Sequence, residues 1–380
     1  MTKIIYFDNA ATTNFKPYCV KKTFFKALKQ SSNPGRSGHK LSIKNAINVW
    51  QCRETIAKHF NIDNPESVIF TKNCTEALNL AILGVLKDGD HVICSVFEHN
   101  SVLRPLKHLE MQNKITLTII SPKNNKNITL LDLKPHILSN TSLICLTHTS
   151  NVTGIKQNIE EIGQYLKQKN ILFLVDFAQG AGHFLVDMKK NNINYLAFAG
   201  HKGFFTPQGI GGLVINSTTL PKPLMFGGTG TESELPYQPN SIPESLESGT
   251  LATPLICALN SGIKYVEKHF KKHSNYVYNL TKYLIDNLKT IKFYNKIVLY
   301  TSEPNYSGVV SFNIIDKTSV ESSNYLDQKY NIATRAGLHC APLTHKFINT
   351  LQNGVVRVSL SHKNTRKQIN KLLKAILKIV

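Results

Sequence analysis

Short apolar runs of strand length, each followed by a helix-length amphipathic segment, recur along this 380-residue chain. "SVIF" (67–70) precedes "TEALNLAILGVLK" (75–87). "HVICSV" (91–96) precedes a helical "SVLRPLKHLEMQ", and "ITLTII" (115–120) follows it. "SLICLTH" (142–148) leads through "NIEEIGQYLKQKN" to "ILFLVD" (171–176), "YLAFAG" (195–200) and "IGGLVI" (210–215). Runs that are apolar throughout suit strands buried on both faces, and helices between them supply the crossovers of a parallel sheet. The pattern predicts an α/β architecture with a largely parallel sheet covered on both sides. Ligands of such sheets sit beyond the carboxyl ends of the strands. The informative residues are therefore those directly after each run.

The segment 217–250, "STTLPKPLMFGGTGTESELPYQPNSIPESLESGT", lacks periodicity and is rich in Pro, Gly, Ser and Glu. It reads as a long functional loop or crossing segment. After it a long helical pattern runs to about residue 289. The tail then alternates again: "SGVVSFNI", a helix near 319–329, "NIATRAG", "GVVRVSL" and a final helix. The expected division is a large domain over 14–252 and a smaller α+β domain made of 1–13 and 253–380.

Composition excludes several classes. No apolar run reaches the ~18 residues of a membrane span. The start, "MTKIIYFDNAATT", lacks a long apolar stretch and carries Asp8, which argues against a secretory signal and for a cytoplasmic location. Seven cysteines include no CxxC pair. Neither a disulfide scaffold nor a zinc ribbon is expected, no metal is expected, and most of these cysteines read as small buried hydrophobes. The net charge of +21 comes from lysines spread along the whole chain. No nucleic-acid-binding signature accompanies them, so direct nucleic-acid binding is not expected. An acidic protein partner or an anionic cofactor suits the charge better.

The strand ends carry a constellation. "TKNCTE" (71–76) opens a helix, and a helix N-terminus favours an anion. His99 follows the next run, Asn151 the run ending at 148, and Asp176 with Gln179 the run after that. His201 and Lys202 follow "YLAFAG". A lysine amine, a carboxylate, a flat imidazole, an amide and a phosphate-binding helix start are the parts a pyridoxal phosphate site needs.

Taken with "YFDNAATT", "NPGRSGHKLS", "NCTEALNLAILG", "EHNSVLRPL", "SNVTG", "DFAQGAGH", "GHKG", "SLESGT", "RAGLHC" and "VRVSLSHKNT", the chain resembles the class V aminotransferase-fold enzymes, and among them the cysteine desulfurases. The resemblance spans nearly all of the chain. It implies fold type I, with a seven-stranded, mostly parallel sheet sandwiched by helices. It implies pyridoxal 5'-phosphate as cofactor, L-cysteine as substrate, L-alanine as product and a persulfide on Cys340. Lys202 forms the Schiff base, Asp176 pairs with the pyridine nitrogen, and His99 stacks on the ring and assists proton transfer. Gln179 and Asn151 lie near the ring hydroxyl, and Asn151 also reaches substrate. Thr75 and His201 bind phosphate, with Cys74 beside them. Thr250 reaches the phosphate of the neighbouring protomer of a homodimer. Arg357 binds the substrate carboxylate, which its planar fork matches. Asn9, Ala10, Ala11 and Arg335 line the pocket.

The family pattern is broken in three places. Ala199 and Cys74 stand where relatives place hydroxyls, each forgoing a hydrogen bond of about 1 kcal/mol or more. Cofactor affinity falls unless backbone donors or His201 compensate. Leu338 replaces a histidine of the "GHHC" ending of Suf-type members, which points to a divergent subgroup. The 17 residues from Cys340 to Arg357 are short, as in the Suf-like group II, where an acceptor protein stimulates turnover. Iron–sulfur cluster assembly and RNA thiolation are both uses such sulfur serves.

Cys340 acts as a thiolate, and a neighbouring charge on Arg335 or on a protonated His339 favours that form. The residues leave rivals open: a class V aminotransferase that does not use Cys340, a selenocysteine lyase, and an idle cofactor-binding partner protein.

Overall fold

The computed structural model describes residues 4–379 apart from 36, 125, 291, 292 and 294. Arg36 of the "NPGRSGHKLS" motif, and the outermost residues of the expected small domain, lie outside the described residues.

The chain begins with β1 (Ile5–Tyr6), α1 (Tyr18–Lys29), α2 (Lys40–Phe60), β2 (Val68–Thr71), α3 (Cys74–Val85), β3 (Asp90–Ser95), α4 (Asn100–Met111) and β4 (Ile115–Ile120). It continues through α5 (Leu130–Leu133), β5 (Thr141–Thr147), α6 (Ile159–Gln168), β6 (Leu172–Asp176), β7 (Tyr195–Ala199) and β8 (Gly211–Ile215). The remainder is α7 (Thr253–Leu288), β9 (Ile297–Leu299), β10 (Val309–Ile314), α8 (Ser319–Tyr330), β11 (Ile332–Ala333), α9 (Pro342–Phe347), β12 (Val356–Ser359) and α10 (Arg366–Ile376).

Seven strands form one sheet in the order β2-β8-β7-β6-β5-β3-β4. The run from β4 to β7 is parallel throughout. Strand β8 alone opposes its neighbours β7 and β2. No helix separates β7 from β8, and a short helix-free connection returns the chain antiparallel. Alternate side chains serve two cores. In β6, Phe173 and Val175 face a core shared with α2, α6 and the first half of α7, while Leu174 faces α3 and α4. Both faces are covered, which is why these strands read as unbroken apolar runs.

The other strands form the antiparallel sheet β12-β10-β9 and the parallel pair β1-β11. Leu280, Leu284 and Leu288 of α7 pack there against Phe312, Leu326, Ile369 and Leu372. The 36-residue α7 thus contributes to two cores: Ile256, Leu259 and Ile263, near its start, sit in the one that packs against the seven-stranded sheet. The segment 217–250 is irregular apart from a single 3-10 turn at Glu244–Leu246. Glu247 anchors its end, pairing with Arg53 at 2.5 Å and accepting from the Phe70 N–H. Among the described residues, no helix is long and apolar enough to cross a membrane.

Candidate active site

The parallel strands deliver their carboxyl ends to one cleft with about 780 Å³ of empty volume. At its floor α3 begins. The Asn73 side chain accepts from Glu76 N at 2.9 Å and caps the helix. The N–H groups of Cys74 and Thr75 belong to the first turn, which has no intrahelical acceptors for them, so this end suits an anion. A Cβ at Gly211 would lie 2.7 Å from the Asn73 carbonyl carbon and 2.9 Å from Cys74 N, so only glycine lets β8 pass this close under the helix start.

The cleft brings together Ala10, Ala11, Cys74, Thr75, His99, Asn151, Asp176, Gln179, His201, Lys202, Arg335 and Arg357, with Ala199 at the end of β7. Asp176 is buried and accepts from Ala178 N at 2.9 Å. Burial pushes the Lys202 amine below its ordinary value, with Asp176 opposing. Burial also holds His99 down to about 4 and His201 down to about 4, so both rings are neutral at pH 7. Arg335, Arg357 and Lys202 outnumber Asp176 and the Asp8 that pairs with Arg357, which leaves the cleft electropositive and suited to a ligand carrying phosphate and carboxylate.

Several expected residues have unexpected partners. The Cys74 thiol donates to Asp176 Oδ1 at 3.6 Å instead of standing in for a phosphate-binding hydroxyl. The Thr75 hydroxyl meets Ser101 Oγ at 2.8 Å, and Ser101 Oγ meets His99 Nδ1 at 2.9 Å. Gln179 donates its amide to the Ala10 carbonyl at 2.9 Å, leaving Oε1 for the cleft. Asn151 donates to the His339 carbonyl at 2.7 Å. Asn9, expected in the pocket wall, lines an adjoining cavity together with Ala10, Gln179 and Lys202. Its amide donates to the Ser359 carbonyl at 2.9 Å and reaches Asn364 Oδ1 at 3.3 Å, tying the N-terminal segment to β12. Thr250 is exposed and lies outside this chain's cleft.

Arg357 is 1% exposed. Its guanidinium donates to Asp8 Oδ1 at 2.9 Å and to the Asn151 carbonyl at 3.0 Å, while Nε is buried without a partner. Beside it, Cys340 sits exposed at the rim with Arg335 Nη2 3.9 Å from its sulfur. The Cys340 carbonyl accepts from Asn100 N at 2.7 Å, which sets the cysteine next to His99. His339 and Cys340 both adopt left-handed backbone, with φ of +48° and +58°. Two successive non-glycine residues there cost roughly 1 kcal/mol or more each. The expectation of a protonated His339 fails: burial and the two arginines push it down to about 2, so Arg335 is the charge beside the sulfur.

Sequence reasoning missed Asp8, Ser101 and Glu98. Glu98 is fully buried behind His99, accepting from Ser95 Oγ and from Thr147 N at 3.0 Å, with Oε2 unpartnered. Burial pushes its carboxyl up to about 8. Its one legible signal was adjacency to His99; the acid itself reads as an ordinary helix-start residue.

The sequence profile of the family "Aminotransferase class-V" matches residues 5–372. A probable cysteine desulfurase of Pyrococcus abyssi is 32% identical, over 100% of this chain and 94% of its own length. A cysteine desulfurase of Wigglesworthia glossinidia brevipalpis is 31% identical, over 99% of this chain and 92% of its own. The solved apo structure of cysteine desulfurase from Thermococcus onnurineus NA1 superposes with a TM-score of 0.89 at 30% identity, covering 99% of this chain and 94% of that one. By profile, sequence and fold, the chain belongs to the class V aminotransferase family and groups there with the cysteine desulfurases.

Proposed function

We propose that this protein is a pyridoxal 5'-phosphate-dependent cysteine desulfurase that converts L-cysteine to L-alanine and holds the sulfur as a persulfide on Cys340. One observation carries the reading: Lys202, Asp176, Arg357 and Arg335 line a single cleft, and Arg335 Nη2 lies 3.9 Å from the Cys340 sulfur. The residues present fit the cofactor. Buried His201 Nδ1 has no partner and lines the cleft, the first turn of α3 offers free N–H groups, and an aldehyde-reactive amine faces a carboxylate. When bound, the cofactor supplies a carbonyl for the amino group and a protonated ring that withdraws electrons.

The chain's own residues do the rest. Lys202, desolvated and thus more readily neutral, would hold the cofactor by its aldehyde and would move the substrate's α-proton. Asp176 faces the ring nitrogen. Neutral His99 offers a flat face for the ring. Thr75, His201 and the start of α3 hold the phosphate. Gln179 and Asn151, whose amide N–H groups bind the Ala10 and His339 carbonyls, would offer their amide oxygens to the ring hydroxyl. Arg357 receives the substrate carboxylate, with Arg335, Ala10 and Ala11 closing the wall. The Cys340 thiolate bonds to the substrate sulfur, the carbon–sulfur bond breaks, and its electron pair stays with the carbon, which takes up a proton to become the alanine methyl. Arg335 supplies positive charge to the attacking sulfur.

The same reading extends to a homodimer in which Thr250 serves the neighbouring phosphate, to a Suf-like protein acceptor that collects the sulfur at the exposed rim, and to work in the cytoplasm. The catalytic cysteine then rides on a small domain of 1–13 and 253–380 against a large domain of 14–252. Incubation with L-cysteine tests the proposal: the intact mass gains sulfur and alanine appears. Cys340→Ala abolishes the gain and keeps the cofactor's visible band, whereas Lys202→Ala loses that band. Normal turnover by Cys340→Ala would overturn the reading.

A further inference from the structure

A second thiol lies inside the cleft. Cys74 is the first residue of α3 and Asp176 the last of β6, 102 positions apart in sequence, yet Cys74 Sγ lies 3.6 Å from Asp176 Oδ1. Both are buried, at 8% and 4% exposure. The Ala178 N–H meets the same oxygen at 2.9 Å. Both donors therefore fall on Oδ1, from a helix start on one side and a turn on the other. A carboxylate held so at one oxygen cannot rotate freely, and Oδ2 is left to the cleft.

We propose that Cys74 is a positioning residue: its S–H donates to Asp176 Oδ1 and fixes the carboxylate plane so that Oδ2 meets the ring nitrogen of the cofactor. This rests on the proposed function. Burial, and then the charge of Asp176, push the Cys74 thiol well above its ordinary value. It therefore stays a donor rather than becoming a competing anion. The same fact explains how a sulfur-handling cleft tolerates a second cysteine. Thiolates, not thiols, attack sulfur, so Cys74 stays silent while Cys340 at the rim reacts. Loss of a hydroxyl at position 74 is thereby not a plain loss: the residue serves the ring's acid partner.

The test uses wild type, Cys74→Ala and Cys74→Ser. In the cofactor-free protein, infrared difference spectra are expected to show one S–H stretching band, lowered by its hydrogen bond, that disappears in Cys74→Ala and moves up in Asp176→Asn. A Cys74 band indifferent to Asp176→Asn overturns the proposal. With pyridoxal 5'-phosphate added, Cys74→Ala is expected to bind the cofactor about threefold more weakly, as for one modest hydrogen bond. The pH midpoint of its visible band shifts by about half a unit, the same factor in protons. Cys74→Ser restores both. If wild type loads and all three proteins titrate alike, Cys74 has no positioning role while the proposed function stands. If wild type does not load at all, both readings fall.

Discussion

The side-chain amide of Asn151 donates to the main-chain carbonyl of His339 at 2.7 Å, joining the turn after β5 to the loop that presents Cys340. The two residues are 188 positions apart. The bond pins a loop whose left-handed residues have no regular ladder to hold them. Asn151→Ala is expected to slow sulfur transfer to Cys340 about fivefold, the worth of one neutral hydrogen bond. Rapid-quench mass measurement of the persulfide reads the rate. An unchanged rate would show that the loop is held by its other contacts alone.

Arg357→Lys should raise KM for L-cysteine about 10- to 100-fold with a smaller change in kcat, since a point charge replaces a two-pronged donor to a carboxylate. The buried side chain also satisfies Asp8, and lysine keeps that charge. Steady-state kinetics separate the two constants. A fall in kcat at constant KM contradicts carboxylate recognition.

Glu98 gives a pH signature. Its carboxyl ordinarily titrates near 4.5 and is pushed up to about 8 by burial. A group raised on folding contributes stability that is whole below its unfolded pKa and is lost as pH rises through the folded one. Glu98→Gln removes that dependence. The variant is expected to match wild type near about pH 5 and to exceed it by on the order of 1–3 kcal/mol near about pH 9. Urea unfolding at the two pH values measures the difference, and parallel behaviour of both proteins contradicts it.

Gly203 follows Lys202 directly, and a Cβ there would lie 1.7 Å from the Ala181 carbonyl oxygen. Backbone cannot yield cheaply, so Gly203→Ala is expected to cost about 3 kcal/mol or more and to displace Lys202. Gly38→Ala, which meets nothing within 4 Å, is the control and should be neutral or slightly stabilising. Thermal unfolding and cofactor loading report both.

Much of the site was legible because strand ends announce themselves. Lys202, Asp176 and His99 each follow an apolar run, and their residue types carry a defined chemistry. Neighbours within a motif were less legible. In "DNAATT" Ala10 and Ala11 line the cleft, while the Asn9 amide binds Ser359 and Asn364, because side-chain direction depends on the path of the backbone. Asp8 was read only as an early charge, since its partner Arg357 stands 349 residues away. The reversed direction of β8 followed from a connection without a helix, a feature visible but easily passed over.

Local patterning by itself determined the α/β alternation, the buried parallel strands and the chemical types waiting at their ends, because burial on both faces and helix periodicity are written in nearest neighbours. Only the tertiary structure decided which polar atoms meet: Cys74 with Asp176, Asn151 with the cysteine loop, Arg335 rather than His339 beside the sulfur. Those pairings depend on contacts between distant segments and on desolvation, which sets whether an imidazole or a thiol carries charge.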